Sequence, residues 1–196
     1  MNRNTEIAMI VYAAISAILL AGFFLGYVST RPDTFRVQRS AVIDAPPAQI
    51  FPFIEDFRQF ALWSPYEKLD PAMVRTFSGP QRGKGAVYEW HGKSAAGKGR
   101  MEIAHTSPPH MVVIRLDFVK PFETHNIVEF TLQEQGSTTR VTWAMRGANP
   151  YIAKMIQLLF SMDRIVGKDF ETGLSNLKAL VEGQSEAAIP RFASTG

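Results

Sequence analysis

The run from Ile7 to Val28 is 22 residues long and carries no charge. A helix of that length, at about 1.5 Å per residue, reaches roughly 33 Å, enough to cross a hydrocarbon core of about 30 Å. In lipid such a helix satisfies its own backbone groups. Tyr12 and Tyr27 lie toward its two ends, where amphipathic rings suit the interface. Secretory signal peptides also open with apolar runs, but theirs are about 7–15 residues long and end at a small-residue cleavage site. No Ala-x-Ala follows Val28. The expectation is an uncleaved transmembrane helix over residues 7–28, behind a tail at 1–6. Arg3 and the α-amine flank one end and Arg31, Arg36 and Arg39 the other. The positive-inside rule therefore leans toward the cytoplasm without settling the side.

After a linker at 29–34, residues 35–182 make one domain, long enough to bury a core, and 183–196 read as a disordered polar tail. The 21 Lys and Arg against 18 Asp and Glu are spread without a basic block, which argues against nucleic acid. The chain has no cysteine, so disulfides, thiolate metal sites and thiol catalysis are excluded. His91, His105, His110 and His125 show no metal-ligand spacing, and no metal or cofactor is expected.

Phe35 to Ile43 reads as a strand. Asp44 and two prolines then lead into a helix over Pro47 to Phe57, with Ile50, Phe53, Ile54 and Phe57 on one side. A further turn passes through Phe60, Leu62 and Trp63 to the Ser64-Pro65 break. The period then changes from helical to alternating. Strands are expected at Met73–Ser78, Gly85–His91, Lys98–Thr106, Met111–Phe118, Glu123–Glu134 and Thr138–Arg146, separated by Gly and Pro signals. Ile114, Leu116 and Phe118 face one way, and Arg115 and Asp117 the other. After Pro150 a helical pattern runs to Val181 with a break near Ser161, its apolar stripe including Ile165, Phe170, Leu174 and Leu177. Gly183 is expected to end it.

This order of elements, an antiparallel sheet closed by a long C-terminal helix, is the α+β helix-grip arrangement. Several stretches resemble the polyketide cyclase/dehydrase and lipid-transport family of the START-like (SRPBCC) superfamily. They are Val42-Ile43-Asp44-Ala45-Pro46, Trp63-Ser64-Pro65-Tyr66-Glu67-Lys68 and Gly83-Lys84-Gly85-Ala86-Val87-Tyr88-Glu89-Trp90. Gly97-Lys98-Gly99, the stretch from Asp117 to Glu123 and the stretch from Met162 to Glu171 add to them. The resemblance covers about Phe35 to Glu182.

The resemblance implies a curved sheet around a helix, with a cavity for an apolar guest between them. Its expected lining is Tyr88, Trp90, Met101, Ile103, Leu116, Phe118, Phe130, Trp143 and Met145 from the sheet, with Phe170 and Leu174 from the helix; the alternative is that these side chains are core. Gly83, Gly85, Gly97 and Gly99 serve either as bends of the sheet or as plain turn residues. Tyr88, Glu89, Glu102 and His105 are the polar groups offered for acid–base chemistry. The Trp63-Ser64-Pro65-Tyr66 stretch is either a pocket lip or a rigid turn. The leading expectation is binding of a hydrophobic small molecule or lipid beside the bilayer. A cyclase or dehydratase, and an interaction or regulatory domain with a filled core, are the alternatives.

Overall fold

The computed structural model describes residues 3–93, 96–120, 123–159 and 161–188. In chain order the elements are helix α1 (Arg3–Ser29), strand β1 (Thr34–Ile43), helices α2 (Pro47–Ile50), α3 (Pro52–Glu55) and α4 (Phe57–Trp63), and a 3-10 turn (Pro65–Lys68). Strands β2 (Val74–Ser78), β3 (Val87–His91), β4 (Lys98–Ser107), β5 (Met111–Lys120), β6 (Thr124–Gln135) and β7 (Thr138–Ala148) follow, then helices α5 (Tyr151–Leu159) and α6 (Met162–Ala188). The chain divides into two compact units, residues 1–34 with 149–160 and residues 35–148 with 161–196.

In the first unit, α1 carries no charge after Glu6, and its segment Val11–Ser29 is long and apolar enough to cross a membrane. Ile18, Leu19, Leu20 and Phe23 are 68–78% exposed, a state that water penalises and lipid does not. Ser29 Oγ and Thr30 Oγ1 close the helix by donating to the carbonyls of Gly26 and Tyr27, both at 2.7 Å. Arg31 sits 4.8 Å from the centre of the Tyr27 ring and donates to its hydroxyl. The same unit contains α5. Tyr151 Oη donates to the Leu25 carbonyl at 3.0 Å, and Lys154 Nζ meets Asp33 Oδ1 at 2.6 Å.

The second unit is built on one seven-stranded sheet in the order β1-β7-β6-β5-β4-β3-β2. Its consecutive pairs from β2 to β7 are antiparallel. Two register shifts interrupt β4–β5, at Lys98/Gly99 and at Ile103/His105; such bulges bend and twist a sheet. Gly83, Gly85 and Gly97 have positive φ in the turns that precede β3 and β4. Gly99 differs, because it lies at the first bulge beneath the Trp90 ring. A Cβ there would stand 2.4 Å from Trp90 Cη2 and 2.6 Å from the Asp117 carbonyl.

The helix expected over Pro47 to Phe57 is broken in the structure. Pro52 has no N–H to continue the ladder and restarts the chain as α3. Asp56 then takes an extended conformation, φ −113° and ψ 116°, and its side chain accepts from Arg58 N to begin α4. The three short helices still present one apolar side: Ile50, Ile54, Phe57, Phe60 and Trp63 are all buried.

α6 is also not what its sequence suggests at its end. It continues through Gly183 to Ala188, so the tail expected over 183–196 begins as helix, and residues 189–196 lie outside the described set. A glycine costs a helix only about 1 kcal/mol relative to alanine. It ends one when the chain turns left-handed there, and the good helix formers around Gly183 leave no reason to turn. Phe170, Leu174, Leu177 and Val181 form its buried stripe. Gly173 allows close approach to the sheet, since a Cβ on it would come within 2.7 Å of Trp143 Cζ3. At the other end, Arg39 of β1 reaches Asp163 at 2.9 Å and Glu171 at 2.6 Å.

Candidate functional site: the concave face of the sheet

Pairing across the strands places the nine sheet residues of the expected lining on one face. Tyr88 is opposite Met101, Met101 opposite Leu116, and Leu116 opposite Asn126. The next row toward the core is Ile103, Ile114, Val128 and Met145. Phe130 and Trp143 make the row beyond. Trp90 lies against Phe118 at 5.7 Å and Tyr88 at 6.0 Å. The period of two that governs any strand produces this sorting directly.

The same eleven residues divide by packing. Ile103, Phe130, Trp143, Phe170 and Leu174 are buried among one another and among Phe60 and Trp63. Trp143 stacks on Phe170, ring centres 4.1 Å apart and planes 9° apart, and meets Phe130 at 5.1 Å and Trp63 at 5.5 Å. Side chains thus fill the space where α6 crosses β7. Tyr88, Trp90, Leu116 and Met145 are buried nearer the rim, and Met101 and Phe118 are only half-buried. Two open depressions, of about 350 and 540 Å³, lie elsewhere: around Phe57, Phe77 and Pro80, and around Phe53, Asp56 and Gln184.

Of the polar groups offered for chemistry, only Tyr88 faces inward. Glu89 and Glu102 alternate with inward residues and so point away from the concave side. Glu102 is spent on Arg100 at 2.8 Å and Arg115 at 3.3 Å, and His105 is exposed. The set therefore does not converge. The groups that do lie at the concave face are others.

Tyr88 Oη donates to Glu67 Oε1 at 2.6 Å, and Glu67 Oε2 accepts from Arg75 Nε at 2.6 Å. Burial, and then the Glu67 hydrogen bond, hold the Tyr88 hydroxyl well above its ordinary value of 10, so it remains a donor. Tyr66 stands edge-on to Trp143 at 6.4 Å, its hydroxyl raised by burial and by the Asp169 charge. Burial also raises the Asp169 carboxyl. Asn126 is 6% exposed, and its amide fills the space over Gly147, where a Cβ would meet Oδ1 at 2.1 Å.

The three indoles behave differently. Trp63 Nε1 donates to the Phe53 carbonyl and Trp90 Nε1 to the Ala96 carbonyl, both at 2.8 Å. Trp143 Nε1 is buried and has no acceptor among the described residues, which costs about 1–3 kcal/mol. Tyr66 and Glu67 belonged to a stretch whose sequence signal was only a Trp, a Pro and a resemblance. Asn126 shares inward parity on β6 with Thr124 and Glu134, and parity did not show that it alone of the three is buried.

A curved antiparallel sheet whose apolar concave side is closed by a long C-terminal helix defines a helix-grip protein of the START-like (SRPBCC) superfamily. The chain belongs to the polyketide cyclase/dehydrase and lipid transport family, whose model matches residues 34–182. Solved structures share the fold at low identity. Protein CV1439 from Chromobacterium violaceum is 18% identical with a TM-score of 0.53, covering 77% of this chain and 99% of its own. Protein Ms6760 from Mycobacterium smegmatis is 21% identical with a TM-score of 0.54, covering 76% and 92%. DynU16, from the dynemicin biosynthetic locus, is 18% identical with a TM-score of 0.52, covering 79% of this chain and 49% of its own. No curated protein matches the chain.

Proposed function

We propose that the protein holds an apolar small molecule or lipid against the concave face of its sheet, with α1 anchoring it in a bilayer. The observation that carries this reading is an apolar inner face containing a buried indole N–H without an acceptor among the described residues. The family's description, which includes lipid transport, supports the class of guest. Met101, Leu116, Phe118, Trp90 and Met145 form the wall nearest the rim, while Ile103, Phe130, Trp143, Phe170 and Leu174 are its packed floor. A guest bearing one acceptor oxygen, such as a carbonyl or hydroxyl, suits a site whose Arg75 is already committed to Glu67.

The full chain, purified in lipid nanodiscs and extracted with organic solvent, should yield a stoichiometric apolar molecule beyond the nanodisc lipids by mass spectrometry. It should also take up a fluorescent fatty acid or sterol, and Leu116→Glu and Met101→Glu should abolish that uptake while the fold survives. Protein that is consistently empty and takes up no probe would overturn the proposal. The stacked Trp143 and Phe170 favour a second reading, an interaction or regulatory domain with a filled core. Recovery of a stoichiometric protein partner with no small molecule would select it.

A further inference from the structure

We infer that α5 is a second membrane-contacting element, a short helix lying in the bilayer interface beside the end of α1; the inference rests on α1 being a membrane span. Both helices belong to the same compact unit. The hydrogen bond from Tyr151 Oη to the Leu25 carbonyl, at 3.0 Å, fixes where α5 begins along α1. Leu25 lies inside the apolar segment Val11–Ser29, four residues before its end. That is a depth of about 6 Å at the helical rise, within the roughly 5–10 Å at which interfacial helices settle.

The chemistry of α5 fits that depth. Its sequence, Tyr-Ile-Ala-Lys-Met-Ile-Gln-Leu-Leu, has two polar residues besides the terminal tyrosine. The one charge, Lys154, is bonded to Asp33 at 2.6 Å, and Lys154 is 6% exposed. An ammonium already paired removes the main penalty for lying at a lipid surface. Ile152 is 71% exposed, a cost in water that lipid contact removes at about 25 cal/mol per Å². Tyr27 and Tyr151 bracket the junction with their hydroxyls hydrogen-bonded, as expected of an aromatic belt.

The natural chain has no cysteine, so Ile152→Cys and Ile18→Cys each give a single labelling site in the full protein. Each is labelled with the fluorophore NBD in phosphatidylcholine vesicles containing doxyl lipids. The expected result is strong quenching at 152 by shallow doxyl groups and weaker quenching by deep ones, with shielding from aqueous iodide; at 18 the deep groups should dominate. A label at 152 that iodide quenches freely and doxyl lipids do not, with 18 still deep, overturns the interfacial helix and leaves the span intact. A label at 18 that doxyl lipids fail to quench overturns the span and this inference with it.

Discussion

The indole of Trp143 and the ring of Phe170 lie face to face, 4.1 Å apart and within 9° of parallel, and this contact joins the last strand to the closing helix. Beside it the Trp143 N–H has no acceptor among the described residues, whereas Trp63 Nε1 donates to the Phe53 carbonyl. Replacing either indole by phenylalanine removes similar volume, but only Trp63→Phe strips a backbone carbonyl of its donor. Trp63→Phe should therefore cost more stability than Trp143→Phe, by about 1–3 kcal/mol. Urea unfolding of the two full-length variants in detergent, followed by circular dichroism, measures the difference. Equal losses would show that the Trp143 N–H is satisfied in solution.

Gly99 is fixed by what lies above it. A methyl group there would overlap the Trp90 ring and the Asp117 carbonyl, and the backbone atom cannot move aside as a flexible side chain would. Gly99→Ala should destabilise the protein by about 1–3 kcal/mol and disturb Trp90 fluorescence. Gly136→Ala is an instructive partner, since its surroundings are open but its φ is +66°; its cost, about 1 kcal/mol, should come from backbone strain alone.

Asp169 gives a pH dependence of defined sign. Burial raises its carboxyl above the ordinary 3.8, so the folded state favours the protonated form. Stability from this group is greatest below its unfolded value and declines as pH climbs through the raised folded one. Asp169→Asn should melt above the parent at pH 7, and the gap should close toward pH 3. A constant gap at both values would mean that the substitution acts through packing instead.

His125 gives a dependence of the same sign from a different cause, attraction to a carboxylate rather than burial. Its Nδ1 lies 2.7 Å from Asp117 Oδ1, and this hydrogen bond raises its pKa above 6.5. The pair stabilises the fold fully below the unfolded value and less as pH rises through the folded one. NMR titration should place the His125 midpoint above 6.5, and Asp117→Asn should bring it down.

The sheet was the most legible part of the fold. Alternation such as Ile114, Leu116, Phe118 is a direct record of which side chains must leave water, and it located six strands within a few residues. Helix boundaries were less so, because they depend on a single backbone state that neighbours decide: Pro52 breaks a helix that its apolar spacing joins, and Gly183 fails to stop one. The inward position of the expected lining follows from the same alternation. How tightly those residues pack does not, since parity fixes the direction of Phe130 and Met101 alike but not the rings of Phe60 and Trp63 that pack against Phe130. Glu89 and Glu102 could have been excluded from the interior by parity with Tyr88 and Met101. Tyr66 and Asp169 reach the concave face from a turn and a helix, where no two-residue rhythm reveals their direction.

Strand order also governs how such a chain is made. β1 and β2 are consecutive in sequence, yet they occupy opposite margins of the sheet, and β1 neighbours only β7. During synthesis the stretch Thr34–Ile43 emerges just behind α1 and must wait, its ladder groups open, until the segment from Thr138 onward has left the ribosome. Long-range pairing of this kind is slow and prone to association in the interval. A nascent copy stalled before β7 would therefore present a bare strand edge next to the apolar helix α1, and that is the stage at which a chaperone has most to protect.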